Sequence, residues 1–190
     1  GTIRGIAYVI TDGRSVSCDN AVFNAIGNGY LFGIPIPIYI VAFVMIVISI
    51  LLYYTRFGRR MYAVGGNITA AGFSGIHVKK VKCLVYSLSG LFAGIAGLVM
   101  LARANTGQPN AGVGYEFDVI TCVVLGGVSV NGGSGKISNV IAGVLIIGVL
   151  SNGMVLLNVS SYMQMVIKGI ILLLAVGSDC IQQQNLLKAK

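Results

Sequence analysis

The chain has 190 residues, 56% hydrophobic and only 9% charged, with a net charge of +8 and a mean hydropathy of +0.88. Soluble domains carry about a quarter charged residues and ~7% Gly, whereas Gly here numbers 27, roughly twice that share. This composition excludes a disordered tail, a disulfide-framed mini-protein and a soluble globular enzyme, and leaves an integral membrane protein with room for about four to six spans of ~20 residues and no sizeable soluble domain.

Residues 1–10, GTIRGIAYVI, read as the end of a helix begun upstream, and the first residue is Gly rather than Met, which suggests a partial reading frame. Arg4, Asp12, Arg14 and Asp19 interrupt any signal-peptide core. Residues 11–35 are polar and turn-rich, and Pro35 and Pro37 bracket the entry to span A, about 37–54. Tyr53 and Tyr54 fit an interfacial belt at its end. A basic loop, 55–82, leads to span B, about 83–102, which carries Gly90 and Gly94 at a spacing that lets helices pack closely. After a polar stretch, 103–116, comes a short apolar segment C, about 117–130, with Asp118 at its mouth. A turn, Asn131-Gly132-Gly133-Ser134-Gly135-Lys136, precedes spans D, about 137–157, and E, about 162–178. The expected fold is all-α: a polytopic helical membrane protein with about five membrane segments after the end of a truncated upstream helix. Residues 1–190 form a single transmembrane domain, within which 55–82 is a cytoplasmic loop.

Charge placement sets the expected topology. Six of the thirteen basic residues (Arg56, Arg59, Arg60, Lys79, Lys80, Lys82) lie in loop 55–82, which has no acid. The positive-inside rule makes that loop cytoplasmic. The same placement argues against nucleic-acid binding, since no soluble platform with exposed aromatics is visible. If segment C only dips and returns, Lys136 and the C-terminal tail lie outside. Counting Lys and Arg inside favours a crossing segment C, which puts Lys136, Lys188, Lys190 and the C-terminus in the cytoplasm and leaves Arg14, Arg103, Asp12, Asp19, Glu116 and Asp118 outside. Because C is short for a span, it should be buried by neighbouring helices or be a broken helix.

Several motifs carry no chemistry. Cys18, Cys83, Cys122 and Cys180 are scattered, and with His77 as the lone His no metal or redox cluster is expected. The apolar spans suggest that most of these thiols are buried. The run ending Gly135-Lys136 is not a P-loop, because Val130 and Ile137 stand where that motif requires Gly and Ser or Thr. Asn67-Ile68-Thr69 and Asn158-Val159-Ser160 match the glycosylation sequon by chance. No catalytic residue is expected.

Lys168 is the basic residue deep within a span, about two turns into E. A charge at that depth is costly unless it snorkels or pairs. One reading is a side chain that snorkels to the outer interface; the other is a partner for Glu116 or Asp118, a pair that would shape an outer gate or pathway. Asn152, Asn158, Tyr162 and Gln164 on D and E are candidates for the same polar cavity or for interhelical hydrogen bonds.

The most specific stretch is Gly58-Arg59-Arg60-Met61-Tyr62-Ala63-Val64-Gly65-Gly66-Asn67, then Ala70-Ala71 and Ser74-Gly75-Ile76. Small residues between Gly-bearing corners suggest a short helix held by tight turns, able to enter a partner's groove. The stretch GRRMYAVGGNITAAGFSGIHVKKVK resembles the coupling loop of sugar-type ABC importer permeases, the ribose, xylose and galactose group. The similarity continues through YSLSGLFAGIAGLVMLAR, Gln108-Pro109, Ala111-Gly112, GYEFDVITCVVLGGVSVNGGSGK and LIIGVLSNGMVLLNVSSYMQMVIKGIILLLAV, covering about residues 2–178.

The resemblance implies a bacterial inner-membrane permease that pairs with a second copy or a paralogue. Two cytoplasmic ATPase subunits, which hold ATP and Mg, would dock on the coupling loops, and an extracytoplasmic sugar-binding protein would deliver the substrate. The permease itself would bind no cofactor. Gly58, Arg59, Tyr62, Gly65, Gly66, Asn67, Ala70, Ala71, Ser74 and Gly75 would form the ATPase-contacting loop. Tyr115, Glu116 and Asp118 would sit near the outer mouth. This chain departs from the family at Ile68 and Thr69, where acids are usual, and at Gly72, where Arg is usual. Both departures remove charge from the docking helix. The other readings are an ion-coupled secondary transporter, for which Lys168 is the one clear intramembrane candidate, a branched-chain amino-acid ABC permease, and a non-functional remnant without its N-terminal helices.

Overall fold

The computed structural model describes residues 2–18 and 20–188, with the side chains of 178–188 excepted. Asp19 and Lys190 lie outside the described residues, as do the side chains of Cys180 and Lys188, and with them the expected placements of these four. Thirteen elements follow in order among the described residues: α1 (Thr2–Thr11), β1 (Val16–Ser17), α2 (Ala21–Asn28), β2 (Tyr30–Leu31), β3 (Ile34–Pro35), α3 (Ile36–Tyr53), α4 (Arg56–Gly66), α5 (Ile68–Phe73), α6 (Val78–Ala104), β4 (Thr106–Gly107), α7 (Tyr115–Leu125), α8 (Ile137–Leu156) and α9 (Ser161–Lys188). The fold is all-α apart from four two-residue strands. Helices α3, α6 and α8 are each long and apolar enough to cross a membrane, and α9 contributes a shorter apolar stretch, Ser161–Gly177.

Their large side chains face outward. Phe43 is 68% exposed and Leu173 74%, and none of the apolar window of α3 is buried. In water such a surface would drive association; in lipid it is the expected exterior. Backbone polar groups must then be satisfied within helices, which is why the apolar segments are helical.

The chain divides into two compact units, Gly1–Met61 with His77–Gly112, and Tyr62–Ile76 with Val113–Lys190. In the first, polar region 11–35 contains more order than its composition suggests. Asn20 caps α2 by accepting a hydrogen bond from the Val22 N–H at 2.9 Å. Helix α2 packs on α6 at Gly27, where a Cβ would collide with the Ala102 carbonyl. Strands β2 and β3 form a hairpin whose two-residue turn, Phe32-Gly33, has φ of 51° and 80°. Positive φ at both residues matches the twist of paired strands. Strand β1 pairs antiparallel with β4, Val16 opposite Gly107. The Gly90–Gly94 face of α6 carries no neighbour within 4 Å of a built Cβ, so the expected close packing there is not made by this chain's described helices.

In the second unit, α7 runs antiparallel beside the N-terminal part of α8. A Cβ on Gly126 would come within 2.6 Å of the Asn139 carbonyl oxygen, and one on Gly143 would strike the Cys122 carbonyl. Backbones approach this closely only where glycine supplies the room. Segment C thus proves to be an 11-residue helix, about 16 Å long at 1.5 Å per residue, too short to span alone. Its expected burial is observed at Thr121, Cys122 and Val124. Thr121, 2% exposed, satisfies its hydroxyl by donating to the Phe117 carbonyl at 2.7 Å. Of the described thiols only Cys122 is buried. Cys83 is exposed and Cys18 half-buried, so the expectation of general burial is corrected: α6 turns Cys83 outward, where an apolar thiol suits lipid.

Candidate functional site

Two clusters stand out, one in segment 58–76 and one where α7 meets α9. The first begins at Gly58, buried in the corner between α3 and α4, where a Cβ would collide with the Leu52 carbonyl. Its role is therefore to let the chain turn. Arg59 and Arg60 are exposed on α4. Tyr62 donates its hydroxyl to the Gly135 carbonyl at 3.0 Å. Gly65 abuts Gly133. Asn67 caps α5, its side-chain oxygen accepting from the Ala70 N–H at 2.9 Å.

Helix α5 has only six residues, too few to persist unaided. Its far end closes with a Schellman arrangement. Ile76 N–H donates to the Ala71 carbonyl at 3.1 Å, Gly75 N–H to the Gly72 carbonyl at 3.0 Å, and Gly75 has φ of 78°. Ser74 adds a hydroxyl bond to the Ala70 carbonyl at 2.9 Å. Ala71 is buried and Ala70 is exposed. The sequence suggested one short helix here; the structure makes two, α4 and α5, because Asn67 terminates one and starts the other. Sequence reasoning also missed Phe73, 89% exposed at the tip of α5, and Ile68, 51% exposed at its start. An aromatic at a Gly-bounded helix end was the available signal.

Span B begins earlier than its apolar run, because Lys79, Lys80 and Lys82 form the exposed first turns of α6. Cations at a helix N-terminus oppose the helix dipole by about 0.3–1 kcal/mol each. Helix stability therefore does not account for their placement.

The second cluster centres on Lys168. Its Nζ lies 2.7 Å from Asp118 Oδ2, with the side chains 21% and 30% exposed. Asp118, not Glu116, is thus the partner; Glu116 and Tyr115 are exposed at the start of α7. A charge-assisted bond this short neutralises both groups at partial burial. The other candidates on α8 and α9 have different settings. Asn158 takes φ of 54° as the left-handed residue after α8, with the Val159 N–H donating to the Met154 carbonyl at 3.0 Å. Gln164 donates to the Val159 carbonyl at 2.9 Å. Both thus secure the α8–α9 turn. Asn152 is exposed on α8, and Tyr162 is 83% exposed on α9. Both sequon asparagines, Asn67 and Asn158, are accounted for as helix-end residues. No group of three or more His, Cys, Asp or Glu able to hold a metal occurs among the described residues.

The chain is 47% identical over 178 residues to the ribose import permease protein RbsC of Bacillus subtilis (strain 168), covering 93% of this chain and 55% of that protein. It is 45% identical over 182 residues to the L-arabinose transport system permease protein AraH of Escherichia coli (strain K12), covering 96% of this chain and 56% of that protein. It is 47% identical over 181 residues to RbsC of Escherichia coli (strain K12), with 93% and 56% covered. The chain therefore spans a little over half the length of these relatives. No solved structure shows significant similarity to it. The profile of the family described as branched-chain amino acid transport system / permease component matches residues 2–176, and with that match over most of its length the chain belongs to this permease family.

Proposed function

We propose that this chain is membrane-spanning permease sequence of an ATP-driven importer that moves a monosaccharide delivered by an extracytoplasmic binding protein. The observation that carries this reading is the 45–47% identity to ribose and L-arabinose permeases over 93–96% of the chain. The permease performs no covalent chemistry. ATP and Mg belong to separate ATPase subunits, which dock on α4 and α5 from the cytoplasm. The basic, acid-free loop 55–82 supports that orientation, as does the presentation of Arg59, Arg60 and Phe73 on its surface. A second permease copy or paralogue completes the path. The Asp118–Lys168 pair lies on that path near its outer mouth, with Tyr115 and Glu116 at the opening. ATP binding shifts the helices between outward-open and inward-open states only as far as it favours one of them.

Gentle purification of the full-length protein from its native membrane, followed by mass spectrometry, tests this reading. The expected companions are an ATPase with Walker motifs and a sugar-binding protein. A protein purified alone, whose uptake survives ATP depletion while an ion gradient is held, overturns it in favour of a secondary transporter. The family's description favours one second reading, a branched-chain amino-acid importer. The ligand of the co-purified binding protein separates the two.

A further inference from the structure

Segment 62–76 lies in sequence between α3 and α6, yet it belongs to the compact unit of α7, α8 and α9. Part of the reason is a joint made of backbone. A Cβ on Gly65 would come within 2.7 Å of the Gly133 nitrogen, one on Gly132 within 2.9 Å of the Gly65 carbonyl oxygen, and one on Gly133 within 2.6 Å of the Gly66 Cα. Gly132 and Gly133 have φ of 89° and 77°, a region that side chains disfavour. One turn earlier on α4, the Tyr62 hydroxyl holds the Gly135 carbonyl at 3.0 Å.

The far side of the joint is also stiff. The Ser129 N–H donates to the Ser134 carbonyl at 3.2 Å and the Gly132 N–H to the Ser129 carbonyl at 3.0 Å, which fixes the turn. That turn joins α7 to α8, which are locked together at Gly126 and Gly143. One helical turn before Cys122, Asp118 holds Lys168 of α9.

We infer that the Gly65–Gly133 joint, with Tyr62, is the rigid link that carries displacement of the α4–α5 segment into α7 and so to the Asp118–Lys168 pair. The inference rests on the permease reading above and adds the route of coupling. Flexible side chains can repack and absorb a displacement, whereas backbone packed on backbone must move together. Tyr62, Gly65 and Gly133 are thus positioning residues that need not touch the ATPase.

The test uses the complete transporter, with its ATPase and binding protein, in proteoliposomes. Gly65 is helical and is not among the positive-φ glycines, so Gly65→Ala suits its backbone and favours helix while driving a methyl into Gly133. Gly148→Ala makes the same change on α8 where nothing lies within 4 Å. Sugar uptake per ATP hydrolysed is expected to fall about two- to thirtyfold in Gly65→Ala, with the amount of bound ATPase unchanged, and to hold in Gly148→Ala. Tyr62→Phe, which adds no bulk, is expected to lower the same ratio about twofold. It decides the matter if Gly65→Ala fails to accumulate. An unchanged ratio in Tyr62→Phe and in any accumulating Gly65→Ala, or an equal loss in Gly148→Ala, overturns the link. A wild-type preparation that carries no ATPase overturns the permease reading, and the link with it.

Discussion

At the scale of single residues, the Asp118–Lys168 pair is the feature whose energetics are most open to measurement. Exposed pairs contribute about 0–1 kcal/mol, and breaking a fully buried one costs about 3–5 kcal/mol. At 21% and 30% side-chain exposure this pair falls between them. Lys168→Met is expected to destabilise by about 1–3 kcal/mol, because it leaves the Asp118 carboxylate partly desolvated and unpaired. Asp118→Asn with Lys168→Met is expected to recover most of that loss, since neither charge then remains. Thermal unfolding in detergent of the two single variants and the double variant measures the coupling directly. Wild-type unfolding temperatures in both single variants would show that the pair contributes nothing. Asn158 offers a second check. At φ of 54°, Asn158→Gly is expected to be nearly neutral, and Asn158→Val to cost about 1–2 kcal/mol. The pair was only half legible in the sequence, because a cation deep in an apolar segment can snorkel as well as pair, and charge alone did not separate Glu116 from Asp118. The role of Asn158 was not legible, because a polar residue near a span end looks the same whether it lines a cavity or turns the chain.

At the scale of elements, the long apolar helices were readable because hydrophobic length alone specifies them. Helix α8 covers 137–156 against an expected 137–157, and α3 covers 36–53 against 37–54. Helix α6 was misjudged by five residues at its start, since hydropathy marks where lipid begins and not where Lys-rich helix begins. Helix α2 was missed because eight residues with two Asn and a Gly carry little periodic signal. Helix α5 is the element most dependent on its ends. It buries Ala71 alone, so its persistence rests on Asn67 at one end and Gly75 at the other. Asn67→Ala is expected to cost about 1 kcal/mol. Gly75→Ala is expected to cost about 1–2 kcal/mol, because its φ of 78° is strained for Ala. Hydrogen exchange of the α5 amides in detergent should accelerate in both variants while exchange in α8 holds. Equal protection of α5 in wild type and variants would show that packing, not capping, maintains it.

For the whole molecule, the question is which loops share a side of the membrane. Charge counting favoured a crossing segment C, and with it Lys136 on the side of the basic loop, yet α7 has just 11 helical residues. The close approach of Gly65 to Gly132 and Gly133 bears on the relation more directly, because segments packed so tightly that an added Cβ would come within 3 Å of the other backbone cannot lie on opposite faces of a bilayer. No sequence pattern disclosed that contact. The two glycine pairs are about 67 residues apart, and a glycine that admits a distant backbone looks like one that merely turns. The consequence is a labelling prediction. With Cys18, Cys83, Cys122 and Cys180 replaced by Ser, single cysteines at exposed Thr69 and Ser134 (Thr69→Cys, Ser134→Cys) should react alike with a membrane-impermeant thiol reagent. Both should label in inverted vesicles stripped of peripheral subunits, and neither in intact spheroplasts, if the positive-inside rule orients the chain. Labelling from opposite sides would contradict the joint itself. Labelling of both from the outside would preserve the joint and reverse the orientation, and an ATPase docked on α5 would then be impossible.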